Sequence, residues 1–152
     1  MARSSNQPAF GLLFRMITIA LLPIGKVESR LTDLADAPRQ ADEGAPDACL
    51  VIEPDFADAL EGLKAGDEVI VITWLDRAQR DILRNHPRGD PSRPVAGVFT
   101  TRSPHRPNPL GLHQVTVAAI DGARVLVRSL EAVDGTPILD IKGVLNPDIQ
   151  QR

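Results

Sequence analysis

The stretch Leu112–Leu130, LHQVTVAAIDGARVLVRSL, decides the fold class. Apolar and polar residues alternate on both sides of the dipeptide Asp121-Gly122. Alternation with a period of two is typical of a strand with one buried face, and Asp-Gly favours a two-residue type I′ turn. The sequence therefore predicts an antiparallel hairpin whose arms are Leu112–Ile120 and Ala123–Leu130.

Other short apolar runs bounded by turn residues predict further strands on both sides of this hairpin. Those strands are Ile17–Ser29, Cys49–Glu53, Glu68–Leu75, Val95–Thr100 and Ile138–Val144. A short helix is predicted from Pro54 through Gly62 and one or two helical turns within Asp76–Asn85, whereas Leu31–Asp47 is a predicted loop. Closely spaced strands with few helices indicate a mainly β protein, a β-barrel or sandwich with short helices.

Composition agrees with one soluble globular domain. The chain has 152 residues, of which 43% are hydrophobic and 24% charged, and single cores usually span roughly 100–200 residues. Its 13 prolines predict many fixed corners and few long helices, because proline lacks the N–H that helices and inner strands use. The lone Cys49 excludes an intrachain disulfide and is compatible with a reducing compartment.

The N-terminus has an apolar run that resembles a signal peptide at first reading. Arg15 interrupts that run, and no small-x-small cleavage site follows before Pro23. The uninterrupted piece Met16–Leu22 is far shorter than the roughly 20 residues of a membrane-spanning helix. We therefore expect residues 1–15 to be a flexible leader, residues 16–152 to be one domain, and the protein to be cytoplasmic.

The net charge of −3 conceals an uneven distribution. Residues 77–106 hold seven arginines and two acids, a charge of +5, while the rest of the chain has 10 basic and 18 acidic residues, a charge of −8. This basic segment, extended to Pro109, also contains six of the 13 prolines. Such a segment is typical either of a solvated surface loop or of a stiff track of guanidinium groups that pairs with carboxylate or phosphate.

Several common sites are absent from the sequence. The three histidines, His86, His105 and His113, and the single cysteine lack the spacing of a metal site, so none is predicted. There is no G-x-S-x-G elbow, no Walker loop and no G-x-G-x-x-G after a strand. Nucleotide binding by the Rossmann route is therefore excluded.

Two dense segments remain. Gly97–Leu112 reads GVFTTRSPHRPNPLGL and places several hydrogen-bond donors on a proline-stiffened loop. Glu131–Lys142 reads EAVDGTPILDIK. Its Asp134-Gly135-Thr136-Pro137 is either an ordinary turn or a grip on the ribose or amine of a ligand, and spacing alone favours neither interpretation.

Together with Pro23–Ser29 and Pro38-Arg39-Gln40, these segments closely resemble the TsaA-like, or TrmO, family of S-adenosylmethionine-dependent tRNA methyltransferases. The family pattern G-V-F-A-T-R-S-P-x-R-P-N-P-I-G-L, followed by D-G-T-P-V-L-D-I-K, is kept with three conservative changes. The match runs from about residue 17 to 145 and resembles the short forms that lack the C-terminal domain. The resemblance implies a TsaA-like, non-Rossmann methyltransferase barrel that works as a homodimer with the cofactor near the subunit interface.

The resemblance also implies a reaction and a site. The family activity methylates N6 of threonylcarbamoyladenosine beside the tRNA anticodon, which makes tRNA the expected partner and S-adenosylmethionine the expected cofactor. The implied cofactor contacts are Pro38, Arg39, Gln40, Leu75, Asp76, Arg102, Ser103, Leu112, Asp134, Gly135, Thr136 and Pro137. No catalytic residue is assigned, and the side chains that could accept the N6 proton are Asp76, His105, Asp134 and Asp140.

Two alternatives stay open at the level of sequence. The first is an S-adenosylmethionine-dependent enzyme that methylates a small molecule. The second is a non-catalytic regulator that binds S-adenosylmethionine. Neither predicts the steep salt dependence expected of an enzyme that contacts RNA phosphates.

Overall fold

The computed structural model describes residues 18–39 and 41–145, and their centre is a closed barrel of six antiparallel strands. The order around the barrel is β1-β2-β7-β6-β3-β8, and β4 pairs with β5 in a separate small sheet. The strands are β1 (Gly25–Glu28), β2 (Ala48–Ile52), β3 (Glu68–Trp74), β4 (Arg84–Asn85), β5 (Ala96–Gly97), β6 (Leu110–Asp121), β7 (Arg124–Val127) and β8 (Pro137–Gly143). The expected mainly β class is confirmed.

The helices of the described part of the chain are all short 3₁₀ segments. They are Ala41–Glu43, Pro54–Leu60, Pro87–Gly89 and Val98–Thr100. Two of them begin at a proline, whose fixed φ suits a first helical position. Within residues 18–39 and 41–145, no helix has the length and apolar character needed to cross a membrane.

Alternate residues of the strands fill the barrel interior. Val69 and Val71 of β3 face Val115 and Val117 of β6, and each is at most 4% exposed. Because the side-chain period of a strand is two, the intervening residues lie on the outer wall. Full burial of one Val or Leu side chain contributes about 1.5–3 kcal/mol, so this apolar interior makes the barrel a firm support for the loops at its ends.

The predicted hairpin is present as β6 and β7. Its turn lies one residue later than predicted, because Asp121 pairs with Arg124 and leaves Gly122 and Ala123 as the two loop residues. Gly122 has a positive φ of +58°, whereas the φ of Ala123 is not positive. A positive φ at the first loop residue alone is the pattern of a type II′ turn rather than a type I′ turn. The register also shifts between Val117 and Ala119, which marks a bulge in the longer arm.

Three predicted elements are shorter than expected. The described part of the predicted strand Ile17–Ser29, residues 18–29, contributes only β1, after a Pro23 that has no N–H to donate to a ladder. Val95–Thr100 contributes only β5 and then turns into the 3₁₀ segment that starts at Val98. The helix predicted through Gly62 ends at Leu60 and is 3₁₀ rather than α.

The helical turns predicted within Asp76–Asn85 are wrong, since this segment contains turns, bends and the strand β4. The backbone N–H of Gln79 donates to Nδ1 of His105 at 3.0 Å, so it is taken away from any helical ladder. A contact between residues 26 positions apart decides the local conformation here.

Candidate functional site at one end of the barrel

Most of the residues predicted for the site lie at the same end of the barrel, which we call the site end. It is the end at which β1 and β3 finish and β6 and β8 begin. The strand register defines this end: the last residues of β3 pair with the first residues of its two neighbours, Trp74 with Leu110 of β6 and Thr73 with Ile138 of β8. The predicted site residues placed there are Leu75, Asp76, Leu112, Asp134, Gly135, Thr136 and Pro137.

The turn that begins at Asp134 is bound tightly to the segment that follows β1. The Asp134 N–H donates to the Leu31 carbonyl at 2.6 Å, and Asp134 Oδ1 accepts the Ser29 N–H at 3.0 Å. The Gly135 N–H donates to the Val27 carbonyl at 2.7 Å, and its φ of +80° is one that glycine adopts without strain. These bonds hold an exposed carboxylate in a fixed place.

Asp134 and Gly135 also line an open cleft of about 550 Å³ on the outer wall. Residues of β1, β2 and β7 form its other sides. Arg102 and Leu112 are not among the lining residues. The predicted site residues therefore extend beyond this one cleft.

Arg102 and Leu112, two of the cofactor contacts that the resemblance implies, lie close to each other. Nη2 of Arg102 donates to the Leu112 carbonyl at 3.3 Å, and the Arg102 side chain is otherwise exposed. A guanidinium has five N–H donors, so most of them are left for a ligand. Ser103, the next predicted residue, donates its N–H to Thr101 Oγ1 at 3.3 Å and accepts from Arg106 through its carbonyl.

Arg106 holds the motif loop together from within. Its Nε donates to the Ser103 carbonyl at 2.7 Å, and its Nη2 donates to the carbonyls of Val98 at 3.0 Å and Thr101 at 2.6 Å. Three bonds from one guanidinium fix the chain on both sides of Arg102. Arg106 is therefore a brace of the loop.

Arg80 fastens the other end of the same loop. Its Nε donates to the Pro107 carbonyl at 2.7 Å and its Nη2 to Asn108 Oδ1 at 3.3 Å. The guanidinium also lies 5.3 Å from the centroid of the Trp74 ring, within the range of a cation–π contact. Two arginines of the basic segment are thus engaged in internal contacts.

Leu75 is placed against the start of β6. Its N–H donates to the Pro109 carbonyl at 2.8 Å. Its Cδ2 lies 3.2 Å from the point where a Cβ on Gly111 would stand. Leu75 therefore borders the same short stretch of β6 as Leu112, with Asp76 exposed directly after it.

Arg39 makes its contacts with the basic segment. Its N–H donates to Glu43 Oε2 at 3.1 Å, and its Nη1 donates to the Arg88 carbonyl. Arg88 has the unusual φ of +58° for a residue with a side chain. Pro38 directly precedes Arg39 in this loop, and the predicted Gln40 lies outside the described residues.

Three of the four candidate proton acceptors have described partners, and that of Asp134 is the Ser29 N–H named above. His105 Nδ1 accepts the Gln79 N–H, which leaves Nε2 as its available ring nitrogen. Asp140 forms an ion pair with Lys142 at 2.8 Å and accepts the Ile141 N–H through Oδ1. Asp76 and Asp134 are exposed at the site end.

A buried polar chain beneath Arg102 was missed by the sequence reasoning. Thr73 Oγ1 and His113 Nε2 are 2.8 Å apart, and His113 Nδ1 lies 2.7 Å from Glu131 Oε1. The only sequence signal is the inward position of His113 in the alternation of β6. Burial opposes ionisation of Glu131, but the hydrogen bond and charge of His113, with the charge of Arg102, hold the pKa of this carboxyl below its usual range.

The described residues contain no group of three His, Cys, Asp or Glu side chains that could hold a metal ion. The polar groups at the site end include the exposed guanidinium of Arg102, exposed carboxylates and backbone groups. Such a set suits an organic ligand with charged and hydroxyl groups.

Comparisons with known proteins give a consistent set of matches. Residues 26–147 match the family described as tRNA-methyltransferase O N-terminal domain. An "S-adenosyl-L-methionine-binding protein" of Archaeoglobus fulgidus is 43% identical over 122 residues, which cover 80% of this chain and 86% of that protein. A "probable S-adenosyl-L-methionine-binding protein" of Methanothermobacter thermautotrophicus is 40% identical over 124 residues, covering 82% of this chain and 88% of its own length.

Solved structures with the same fold carry the same family name. Two crystal structures of TrmO from Pseudomonas aeruginosa, each 30% identical in sequence, match with TM-scores of 0.69 and 0.67. Each match covers 90% of this chain, whereas this chain spans only 59% and 60% of those two. The β-barrel expected from the sequence resemblance is thus the fold of these relatives.

Proposed function

The chain belongs to the family of the tRNA-methyltransferase O N-terminal domain, and we propose that it is an S-adenosylmethionine-dependent methyltransferase acting on N6 of threonylcarbamoyladenosine beside the tRNA anticodon. The observation that carries this proposal is the exposed guanidinium of Arg102, bonded to the Leu112 carbonyl inside the family motif. Relatives of similar length that are named as S-adenosyl-L-methionine-binding proteins support the cofactor. The family name supports tRNA as the substrate.

The residues at the site end fit the chemistry of S-adenosylmethionine. Its carboxylate suits the fork of Arg102, and its ribose hydroxyls suit the exposed carboxylate of Asp134. Leu75 and the half-exposed Leu112 offer apolar surface beside these charged groups. The donor set therefore matches a ligand that has both charged and apolar parts.

The protein's contribution to the reaction is mainly alignment. The bound cofactor supplies an electrophilic methyl group on a sulfonium. Orientation of donor and acceptor can lower the barrier by about 7–11 kcal/mol. Arg106 and Arg80 serve this alignment by fixing the loop that carries Arg102, while Asp76, His105, Asp134 and Asp140 remain the candidates for accepting the N6 proton.

The proposed acting form is a cytoplasmic homodimer of the barrel domain, residues 16–152, with tRNA as partner. The basic segment 77–106 supports an RNA partner, since its arginines at positions 84 and 88 are exposed. Phosphate contacts of this kind provide most of the sequence-independent affinity for RNA.

Calorimetry tests the proposed binding of S-adenosylmethionine. We expect Arg102→Ala to abolish binding of S-adenosylmethionine, because it removes the group that pairs with the carboxylate. Arg93→Ala is a matched control, since Arg93 is an exposed arginine of the same segment whose partner is Asp90. Unchanged affinity in Arg102→Ala would contradict the assignment.

Mass spectrometry of tRNA nucleosides tests tRNA as the proposed substrate. A strain that lacks the gene should lose N6-methylated threonylcarbamoyladenosine, and the wild-type gene should restore it. The Arg102→Ala gene should fail to restore it. An unchanged nucleoside profile in the deletion strain would contradict tRNA as the substrate.

A second candidate function is binding of S-adenosylmethionine without methyl transfer to RNA. It is favoured by the names of the archaeal relatives, which mention binding alone. A regulator of this kind would bind the cofactor tightly and show no turnover on tRNA. An enzyme acting on a small molecule would instead show methyl transfer that is independent of RNA and insensitive to salt.

A further inference from the structure

Glu131 is a partly buried acid to which the proposed function gives no role. It lies between β7 and β8, three residues before Asp134, and its side chain is only 20% exposed. Oε1 accepts a hydrogen bond from His113 at 2.7 Å. Oε2 is buried and has no hydrogen-bond partner among the described residues.

Glu131 keeps its negative charge at neutral pH. Burial opposes ionisation, yet the hydrogen bond from His113 and the positive charge of Arg102 hold the pKa of this carboxyl below its usual range. An ionised carboxylate oxygen buried without a partner is costly, so a positive charge nearby is needed to offset it.

His113 satisfies only one of the two carboxylate oxygens of Glu131 among the described residues. An ionised carboxylate can only accept, so Nδ1 of His113 carries the hydrogen of the bond to Glu131. Nε2 of His113 lies in turn 2.8 Å from the hydroxyl of Thr73. Thr73 is fully buried and His113 is 6% exposed, so the arrangement is closed to water.

Glu131 is connected through short stretches of chain to both of the groups proposed to hold the ends of the cofactor. Its charge and that of Arg102 interact, and His113, which binds it, directly follows Leu112 in β6. Along the chain it is three residues from Asp134. In S-adenosylmethionine the sulfonium stands between the carboxylate assigned to Arg102 and the ribose assigned to Asp134.

We propose, on the premise of the proposed function, that Glu131 determines the preference of the site for the cationic methyl donor over its neutral demethylated product. S-adenosylmethionine carries a net charge of +1 because of its sulfonium, whereas S-adenosylhomocysteine is a thioether with no net charge. Methyl transfer moves the positive charge from sulfur to the acceptor nitrogen, which loses it with its proton. The attraction exerted by Glu131 therefore acts on the donor and is absent from the product.

The test is the pair of dissociation constants for S-adenosylmethionine and S-adenosylhomocysteine, measured by calorimetry. Glu131→Gln keeps an oxygen that can accept from His113 Nδ1 and removes only the charge. We expect it to weaken binding of the donor about tenfold and binding of the product less than about twofold. The attraction between two unit charges in contact, at an effective dielectric constant near 20, is larger than the free energy of a tenfold change in affinity. Glu131→Asp, which keeps the charge, should retain most of the preference.

Glu68→Gln is the matched control. Glu68 lies at the opposite end of β3, where it accepts from Gln114 on the barrel surface. We expect both dissociation constants to stay unchanged in that variant. Equal weakening of both ligands in Glu131→Gln would overturn the inference in favour of a purely structural role, whereas a wild-type protein that binds neither ligand would overturn the proposed function itself.

Discussion

Gly111 has no room for a side chain, so a substitution at this position should lower the stability of the fold. A Cβ at this position would stand 2.3 Å from Thr73 Oγ1 and 2.6 Å from His113 Nε2. Both groups are buried and bonded to each other, so neither can move without breaking that bond. We predict that Gly111→Ala lowers the free energy of unfolding by about 1–3 kcal/mol, the usual effect of overpacking, in urea denaturation followed by circular dichroism.

Gly97→Ala is the control for this prediction. A Cβ on Gly97 would meet nothing within 4 Å, and its φ of −67° is accessible to alanine. The free energy of unfolding should change by less than about 0.5 kcal/mol. Equal stabilities of the two variants would show that the space beside Thr73 is not as tight as the structure indicates.

At the scale of elements, the basic segment divides into arginines that brace it and arginines that face solvent. Arg80 and Arg106 bind backbone carbonyls and an amide within the molecule. Arg84 and Arg88 are exposed. Arginines whose N–H groups are engaged in internal bonds offer fewer donors to phosphate, so the count of arginines overstates the number of RNA contacts.

This division predicts different effects on the binding of tRNA and of the cofactor. Arg84→Gln should weaken tRNA binding and reduce the slope of log affinity against log salt by about 0.7–0.9, the value for one lost phosphate contact. Its affinity for S-adenosylmethionine should not change. Arg106→Gln should weaken cofactor binding, because the loop that carries Arg102 loses three hydrogen bonds.

Fluorescence anisotropy with labelled tRNA at several salt concentrations measures the slope, and calorimetry measures cofactor affinity. Arg124→Gln is the control, since Arg124 lies on β7 outside the segment and pairs with Glu28. An unchanged slope in Arg84→Gln would remove this arginine from the proposed RNA surface.

Strands were easier to predict from the sequence than the segments between them. The alternation in β6 and β7 reports burial directly, so the hairpin was predicted with an error of one residue in the turn. The segment Asp76–Asn85 was predicted wrongly because its conformation depends on His105, far away in the chain. Propensity is a local quantity and contains no information about such contacts.

The difference between local and long-range information also explains which parts of the candidate site could be predicted from the sequence. The motif loop and the turn at Asp134 are continuous segments, so they could be recognised directly. Thr73, His113 and Glu131 come from separate parts of the chain and meet only through the barrel register. No spacing rule connects them, which is why this buried chain could not be predicted.

At the scale of the whole molecule, net charge says little about the partner. The chain carries −3 overall, but residues 77–106 carry +5. Salt at physiological strength screens exposed charges beyond about 8 Å, so a polyanion responds to the local segment rather than to the sum. An RNA partner is therefore compatible with an acidic protein.

The exposed apolar side chains near the basic segment bear on the assembly of the molecule. Phe99 is 83% exposed and Leu83 is 61% exposed, and the backbone segments that carry them are close, since the Val98 N–H donates to the Leu83 carbonyl at 3.0 Å. Adjacent large apolar side chains in solvent are typical of a surface that contacts another protein. In the proposed homodimer, this surface would be covered by a second copy of the chain.

We therefore predict that the wild-type protein sediments as a dimer and that Phe99→Asp sediments as a monomer, because the substitution places a charge in the covered apolar surface. Leu126→Asp is the control for the mass alone, since Leu126 is an exposed apolar residue on β7 that lines the cleft beside Asp134. Sedimentation equilibrium gives the mass, and calorimetry gives cofactor affinity in the same samples. If the cofactor site lies near the subunit interface, Phe99→Asp should also bind S-adenosylmethionine more weakly, although Phe99 is not among the predicted contacts. A wild-type monomer, or dissociation by Leu126→Asp alone, would place the interface elsewhere and separate assembly from cofactor binding.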